Sequence, residues 1–510
     1  MSAGSAPERG SNRGAITACV TLATLMQALD STIANVALPH MQGSLSASQD
    51  QISWVLTSYI AAAAIMTPPT GYLAARFGTK RVFLIAVAGF TGASMLCGIA
   101  QSLPQIVVFR LLQGVFGAPL VPLSQAVLLD IYPKERQGFA MSLFGLGVIA
   151  GPILGPVIGG WLTEDYSWRF VFYINLPLGV LAFIGMTLFL PSGRQSASQK
   201  LDWLGFGSLS VAICAFQILL DRGQQLDWFG SSEIWIEAVI AAGSFYAFLV
   251  HTFTSEKPFV NPRLFLDRNF LAGTLIIFTV GLTYYASLAL QPPYLQTLMN
   301  YPVITAGLVL GPRGIGTMLA MMFCGQLMGR VNTRLLLGIG LGLTAWAFNA
   351  ITGWTPDVSQ TTIIVVGLVQ GAGLGFLFVP LSAVSLGTLS AEQRTNGSGI
   401  YNLSRNIGSS VGISVVNALL TRNVQVNHAD IAAQVTAVNR AFEGQNITQF
   451  LSPVTAAGRA ALDQLVTRQA TIIAYIDDYK LLLVATLAVV PLIFLFTKTT
   501  SAPDHTVALE

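Results

Sequence analysis

Charge is what this chain has least of. Only 10% of its 510 residues are Asp, Glu, Lys or Arg, where a soluble domain carries about 25%. That scarcity excludes an ordinary water-covered globular fold. Cysteine and histidine are scarce too, with four of each. Cys19, Cys97, Cys214 and Cys324 stand far apart, as do His40, His251, His428 and His505, so no metal-ligand spacing exists. The cysteines fall inside apolar runs and read as small core residues. No GxxxxGK[ST] loop occurs, which argues against ATP as an energy source. The lack of His, Cys or acid clusters argues against an enzyme, and no cofactor is expected.

Apolar sequence is abundant: 53% of residues are hydrophobic and the mean hydropathy is +0.64. Fourteen long apolar stretches recur, at 16–38, 51–74, 82–100, 104–131, 138–162, 169–190, 201–220, 235–253, 270–296, 303–325, 334–353, 361–389, 398–420 and 480–497. A bilayer core is crossed by about 20 helical residues, so the chain is expected to be an all-α integral membrane protein with fourteen transmembrane helices. A barrel is excluded, because the runs lack the apolar–polar alternation of lipid-facing strands. The first run is too long for a signal peptide and carries Asp30, so it is expected to stay as the first span. Lys and Arg gather in the N-terminal tail and the even-numbered loops, as in Arg76, Lys80, Arg81, Lys134, Arg136, Arg330 and Arg334. The short odd loops hold almost none beyond Arg222 and the border residue Arg169. The positive-inside rule then places both termini in the cytoplasm, and the net charge of +3 reads as a topology signal, with no bearing on nucleic acid.

Two segments recur about 255 residues apart. The stretch Gly71 to Lys80 aligns with Gly325 to Arg334, and Gln113-Gly114 with Gln370-Gly371, each followed by a Val-Pro-Leu-Ser run ending at Ser124 and Ser382. Both shifts equal eight spans, an even number, so the repeats share one orientation. Two six-helix bundles with two helices inserted between them are the simplest parse. The expected units are a tail (1–15), an N-terminal bundle (16–190) and a linker with two extra helices (191–269). A C-terminal bundle (270–497) with a long outer loop (421–479) and a second tail (498–510) complete the chain. Parallel repeats of this kind place a binding site near the midplane, between the halves.

Asp30 sits at membrane depth, where a carboxylate costs several kcal/mol unless paired, hydrated or protonated. Protons are its cheapest ligand. Thr24, Gln27, Ser31 and Asn35 fall beside it at helical spacing, forming a polar stripe that must face protein or a wet cavity. Arg110 precedes Gln113 by three residues, while the second half has Gly367 at the equivalent place. An arginine kept in one half only reads as functional, a cation able to pair with the deep carboxylate. Asp30 and Arg110 are therefore the proton-coupling pair expected here. Arg313 is a second intramembrane cation, and the sequence leaves open whether it lines the cavity or its edge. Gln27, Asn35, Gln113, Tyr284, Tyr285, Phe378 and Asn402 are the expected cavity residues. Gly147, Gly151, Gly155 and Gly159 make a smooth ridge on the fifth span, with Pro152 and Pro156 expected to bend it. Arg76 and Lys80 have two readings, a plain topology signal or a latch that binds helix ends in one conformation. The stretches 430–440 and 456–474 are amphipathic and helix-favouring, either a solvated hairpin or a docking surface.

Leu29-Asp30 through Pro39 resembles the first-helix signature of the fourteen-span drug:proton antiporter family within the major facilitator superfamily. Phe109-Arg110 through Gly114, Gly151-Pro152 through Gly160, Trp168 through Gly179 and Ser398 through Gly408 resemble further motifs of that family. The resemblance implies the major facilitator fold and export of hydrophobic or amphipathic drugs across the inner membrane, driven by the proton gradient. It also implies a tripartite assembly with a periplasmic adaptor of the EmrA type and an outer-membrane channel of the TolC type. Asp30 matches the family's coupling carboxylate and Arg110 its fourth-helix arginine. Ala75 stands where the family's loop motif has an acid, which removes that acid from any latch. The alternative is a transporter of one endogenous metabolite or siderophore by the same fold.

Overall fold

The computed structural model describes residues 12–52, 54–133, 136–191, 202–256, 258–435, 451 and 455–497. Among these residues the chain is helical throughout, with no β-strand. The first half holds α1 (Arg13–Ser44), α2 (Trp54–Met66, resumed at Thr70–Phe77), α3 (Thr79–Ile99), α4 (Leu103–Ile131), α5 (Gln137–Asp165) and α6 (Phe170–Phe189). Two further helices follow, α7 (Trp203–Arg222) and α8 (Ser232–Thr254). The second half holds α9 (Arg268–Leu298), α10 (Thr305–Leu327), α11 (Thr333–Thr352), α12 (Gln360–Gly387), α13 (Ala391–Gln434) and α14 (Ala456–Leu495).

Eleven of these segments are long and apolar enough to cross a membrane; α2, α5 and α13 fall outside that group. The reasons are local. Pro68 and Pro69 lack amide donors and interrupt α2. Among the described residues the apolar run counted for α5 is Gln137–Gly151, and its sequence stays apolar beyond, through Leu154, Val157 and Ile158. Polar residues such as Arg394, Asn396, Asn402 and Arg405 thin the hydropathy of α13.

The helices pack as two groups, α1–α6 and α9–α14. Helix α7 packs on α8, touches α2 of the first group and α13 of the second, and so straddles the seam. Leu209 and Ile213 of α7 share an apolar cluster with Ala64 and Leu403, and Ser414 donates to the Leu220 carbonyl at 2.9 Å. Asp202 caps α7 through Gly205 N (3.0 Å) and also holds His251 of α8 (2.8 Å) and Phe259 N (3.0 Å).

The seam is shut at the end that carries the basic loops. There Arg394 of α13 pairs with Asp130 of α4 at 2.8 Å. Ser398 and Asn402 of α13 both donate to Gln125 Oε1 of α4, at 2.7 and 2.9 Å. Phe144 of α5 stacks on Phe378 of α12, ring centroids 6.1 Å apart. Glycines bring the backbones together: a Cβ on Gly138 would strike Met328, and one on Gly325 would lie 3.0 Å from the Ser142 Cβ.

The outer segment departs from its sequence reading. Residues 421–479 are not one loop: α13 runs on to Gln434 and α14 begins at Ala456. Ile472, Tyr475 and Tyr479 belong to the core of the second group. The helix expected at 456–474 is present, whereas the one at 430–440 is described only to residue 434.

The Ser142–Gly325 contact gives the first test. In a variant freed of native cysteines, Ser142→Cys with Gly325→Cys should cross-link on oxidation, since Cβ atoms in disulfides sit about 3.5–4.5 Å apart. The bond should hold the seam shut and stop transport by reconstituted protein, reversibly with reductant. Full transport by the cross-linked protein would show that the seam does not open at this end.

Candidate functional site

Asp30 lies in the middle of α1 with no solvent exposure. Both of its oxygens are taken. Oδ2 accepts from Arg110 Nη1 of α4 at 2.7 Å. Oδ1 accepts from Gln113 Nε2 at 2.8 Å and from Asn175 Nδ2 of α6 at 2.9 Å. Arg110, equally buried, also donates through Nε to the Val55 carbonyl (3.1 Å) and through Nη1 to Gln113 Oε1 (2.8 Å). Its guanidinium lies over the Tyr59 ring at 4.2 Å and near the Phe172 ring at 5.7 Å. Asn175 also donates to Ser94 Oγ (2.9 Å), which donates in turn to the Phe172 carbonyl (2.8 Å).

The local sequence explains this depth. Gly151, Gly155 and Gly159 of α5 face α1, where added side chains would meet Ala28, Thr32 and Ile33. Thr32 donates to the Gly151 carbonyl at 3.1 Å. The ridge therefore seats α1 against its own group, with no part in the seam. Gly114 does the same between α4 and α2: a Cβ there would stand 2.5 Å from the Tyr59 carbonyl oxygen. Arg110 is pressed onto Tyr59 as a result. Pro152 and Pro156 lie within α5, and their side chains fall outside the described residues.

Chemically, two opposite charges are held together by neutral amides and a backbone carbonyl, with Arg110 Nη2 and Asn175 Oδ1 left without a hydrogen-bond partner. Moving each ion out of water costs several kcal/mol, and their attraction offsets this only while both charges persist. Protonating Asp30 would leave Arg110 as an unpaired buried cation. The arrangement can therefore convert a proton into a change of packing among α1, α2, α4 and α6. The pair sits wholly inside the first group, and all its partners come from α1–α6, whereas the repeat pattern placed the binding site between the halves.

The other sequence-derived residues scatter. Gln27 is half-buried and donates to the Tyr59 hydroxyl at 3.1 Å, while Asn35 is exposed. Gln113 belongs to the ion-pair set and Asn402 and Phe378 to the seam. Tyr284 and Tyr285 stand edge to face on α9, 5.7 Å apart. Arg313 is buried against the Tyr284 ring at 4.8 Å. Arg76 lies over the Phe77 ring at 5.8 Å, and Lys80 donates to the Thr187 carbonyl at the end of α6 (2.8 Å). Neither of those two contacts crosses the seam; among the described residues Asp130–Arg394 is an ion pair that does. Sequence reasoning missed Asn175, Ser94 and Tyr59. Asn175 stands in an apolar run as Asp30 does, and the same argument applied to amides would have found it.

Residues 20–413 match the family model described as Major Facilitator Superfamily. The chain is 36% identical over 445 residues to "Probable multidrug resistance protein EmrY" of Escherichia coli K12, covering 86% of each. It is 35% identical over 437 residues to "Multidrug export protein EmrB" of the same organism, covering 85% of each. It is also 35% identical over 432 residues to "Fatty acid resistance protein FarB" of Neisseria gonorrhoeae, covering 84% of this chain and 85% of that one. Among solved structures, the human organic anion transporter MFSD10 (TETRAN) superposes with a TM-score of 0.59 at 15% identity. That match covers 93% of this chain and 99% of the other, and at such identity it speaks to the fold alone.

Removing one member of the ion pair should be far worse than removing both. Asp30→Asn is expected to destabilise the purified protein by about 3–5 kcal/mol, because Arg110 is left buried and unpaired. Asp30→Asn combined with Arg110→Gln should recover part of that loss. Thermal unfolding in detergent reads both; additive losses would mean that the two charges are energetically independent.

Proposed function

The chain belongs to the Major Facilitator Superfamily, and from that premise we propose that it is a proton-coupled antiporter exporting hydrophobic or amphipathic toxic compounds. The observation that carries this reading is the buried Asp30 carboxylate, held on both oxygens by Arg110, Gln113 and Asn175. In this reading fourteen helices span the cell inner membrane with the basic loops in the cytoplasm, and the seam shut at that end is the outward-facing state. A proton arriving from outside neutralises Asp30, Arg110 loses its partner, and the first bundle repacks. That repacking favours opening of the cytoplasmic seam, through residues such as Asp130, Arg394, Gln125 and Asn402. Release of the proton inward restores the pair as a compound is carried the other way. Each inward-moving charge gains about 2.3 kcal/mol per 100 mV. The relatives named for multidrug export and resistance support the substrate class.

The same reading includes a periplasmic adaptor and an outer-membrane channel as partners. Helices α13 and α14 continue past the membrane as a pair, joined by the exposed His428–Asp463 contact at 3.0 Å. Val426 and Leu465 are half-exposed apolar residues on that pair, the kind of surface an adaptor would cover.

The decisive measurement is efflux from proteoliposomes under an imposed pH gradient. Asp30→Asn should reduce gradient-driven export at least tenfold while an Asp463→Asn control stays active. Undiminished export by the Asp30 variant would remove that carboxylate from coupling. For the partners, residues 430–458 should be replaced by a short glycine-serine link, which spares Ile472, Tyr475 and Tyr479. Insertion and proteoliposome export should persist while drug resistance of intact cells is lost. Retained resistance would count against adaptor docking.

A further inference from the structure

The second bundle has no acid at the place of Asp30, but it buries one on another helix. Gln370 is the repeat counterpart of Gln113. Gln113 Nε2 donates to Asp30 at 2.8 Å, whereas Gln370 Nε2 donates to Ser287 Oγ at 2.9 Å. Arg313, a buried cation of this bundle, donates to Gln291 Oε1 (2.8 Å) and to Ser287 Oγ (3.1 Å), both neutral acceptors. The buried acid is Asp478 of α14, which is 1% exposed. Among the described residues neither of its oxygens has a hydrogen-bond partner and no cation pairs with it.

Asp478 lies at the end of the bundle away from the basic loops. Helices α9 and α11 start at the basic end, at Arg268 and Thr333, and run to Tyr294 and Trp354 at the other. There Tyr294 stands edge to face with Tyr475, ring centroids 5.2 Å apart, and 6.0 Å from the Trp354 ring. Tyr475 precedes Asp478 by one helical turn and lies within its electrostatic reach. Pro292 and Pro293 donate no amide, and from Tyr294 to Leu298 the chain continues as a π turn, a feature frequent at functional sites. The next residue after Asp478, Tyr479, borders Ser287, Gln291 and Arg313. The other ionisable groups nearby are Asp477 and Lys480, paired with each other at 3.2 Å. Neither α11 beyond Arg334 nor α13 between Arg405 and Arg422 carries an ionisable side chain. An ionised carboxylate so placed would lose its hydration with nothing to offset the loss, whereas a protonated one carries no charge. A proton is also the ligand that needs no cavity.

We propose that Asp478 is a second proton-binding residue, which holds a proton while the cytoplasmic seam is shut and releases it when the seam opens. The proton leaves by way of Tyr479, Ser287 and Gln291 to the cytoplasm, and the carboxylate left behind supplies the negative charge that Arg313 lacks. This deepens the export reading by setting two protons per cycle, one in each bundle, and rests on that reading for the cycle itself.

The proton is read by infrared spectroscopy of the full chain in nanodiscs at about pH 7, where exposed carboxyls are ionised. The wild type should show the C=O stretch of a protonated carboxylic acid. Asp478→Asn should remove that band, Asp478→Glu should shift it, and Asp30→Asn should leave it in place. Absence of the band from the wild type, a result that needs no variant to fold, would overturn the proposal, as would a band that survives Asp478→Asn. The second proton is counted in proteoliposomes with the membrane potential clamped at zero, from the ethidium gradient that a pH gradient just sustains. Two protons sustain about a hundredfold gradient per pH unit and one proton about tenfold. The wild type should reach the first limit and Asp478→Asn the second; the lower limit in the wild type, or equal limits in both, would overturn the second proton. A wild type that shows the band yet exports no ethidium under any gradient would sink the export reading alone and leave Asp478 as a proton site.

Discussion

The structure depends on keeping two opposite charges out of water at one point. Asp30 and Arg110 are both fully buried and 2.7 Å apart. Each would be intolerable alone in a bilayer-embedded protein. Together they require a donor for the second carboxylate oxygen, which Gln113 and Asn175 supply. They also require close packing to exclude solvent, which the glycines of α4 and α5 permit. The amides, the aromatic faces of Tyr59 and Phe172 and the smooth ridge of α5 make sense as parts of one constraint.

That constraint also orders the two kinds of contact in the molecule. Inside the first bundle, α1 meets α5 backbone to backbone, with no room for a side chain at Gly151 or Gly155. Across the seam the close glycine contacts of Gly138 and Gly325 are joined by an ion pair, a shared amide acceptor on Gln125 and a stacked ring pair. Polar and aromatic contacts of this sort can be exchanged for water or ligand at small cost, and helices satisfy their own backbone groups, so parting the seam glycines orphans no donor. Movement is therefore expected at the seam, with the bundles as the moving bodies.

Much of this was legible in the sequence, for a physical reason. In a chain so apolar, each deep polar residue stands out, so Asp30, Arg110 and Gln113 announce themselves. The repeat was legible because small and helix-breaking residues recur at nearly fixed offsets. Partners were not legible. Which residues meet Asp30 depends on the rotation of α6 and α2 about their axes, and no spacing rule fixes that for Asn175 or Tyr59. The same holds for the glycine ridge: its period shows that some helix comes close, and only packing shows that α1 does. In the outer segment the helix at 456–474 was legible from its composition, whereas the unbroken run of α13 to Gln434 was not, because polarity alone does not mark where a helix ends.

The comparison of the two bundles carries the last step. A duplicated unit starts with two equal polar networks, and the amide Gln113 or Gln370 survives in both. In one, the acid and base neutralise each other. In the other the acid position holds Ser287 and the base Arg313 has only neutral partners, so that network is incomplete by one negative charge. The physical consequence of their divergence is that the first bundle holds a neutral pair where the second holds a buried cation with neutral partners.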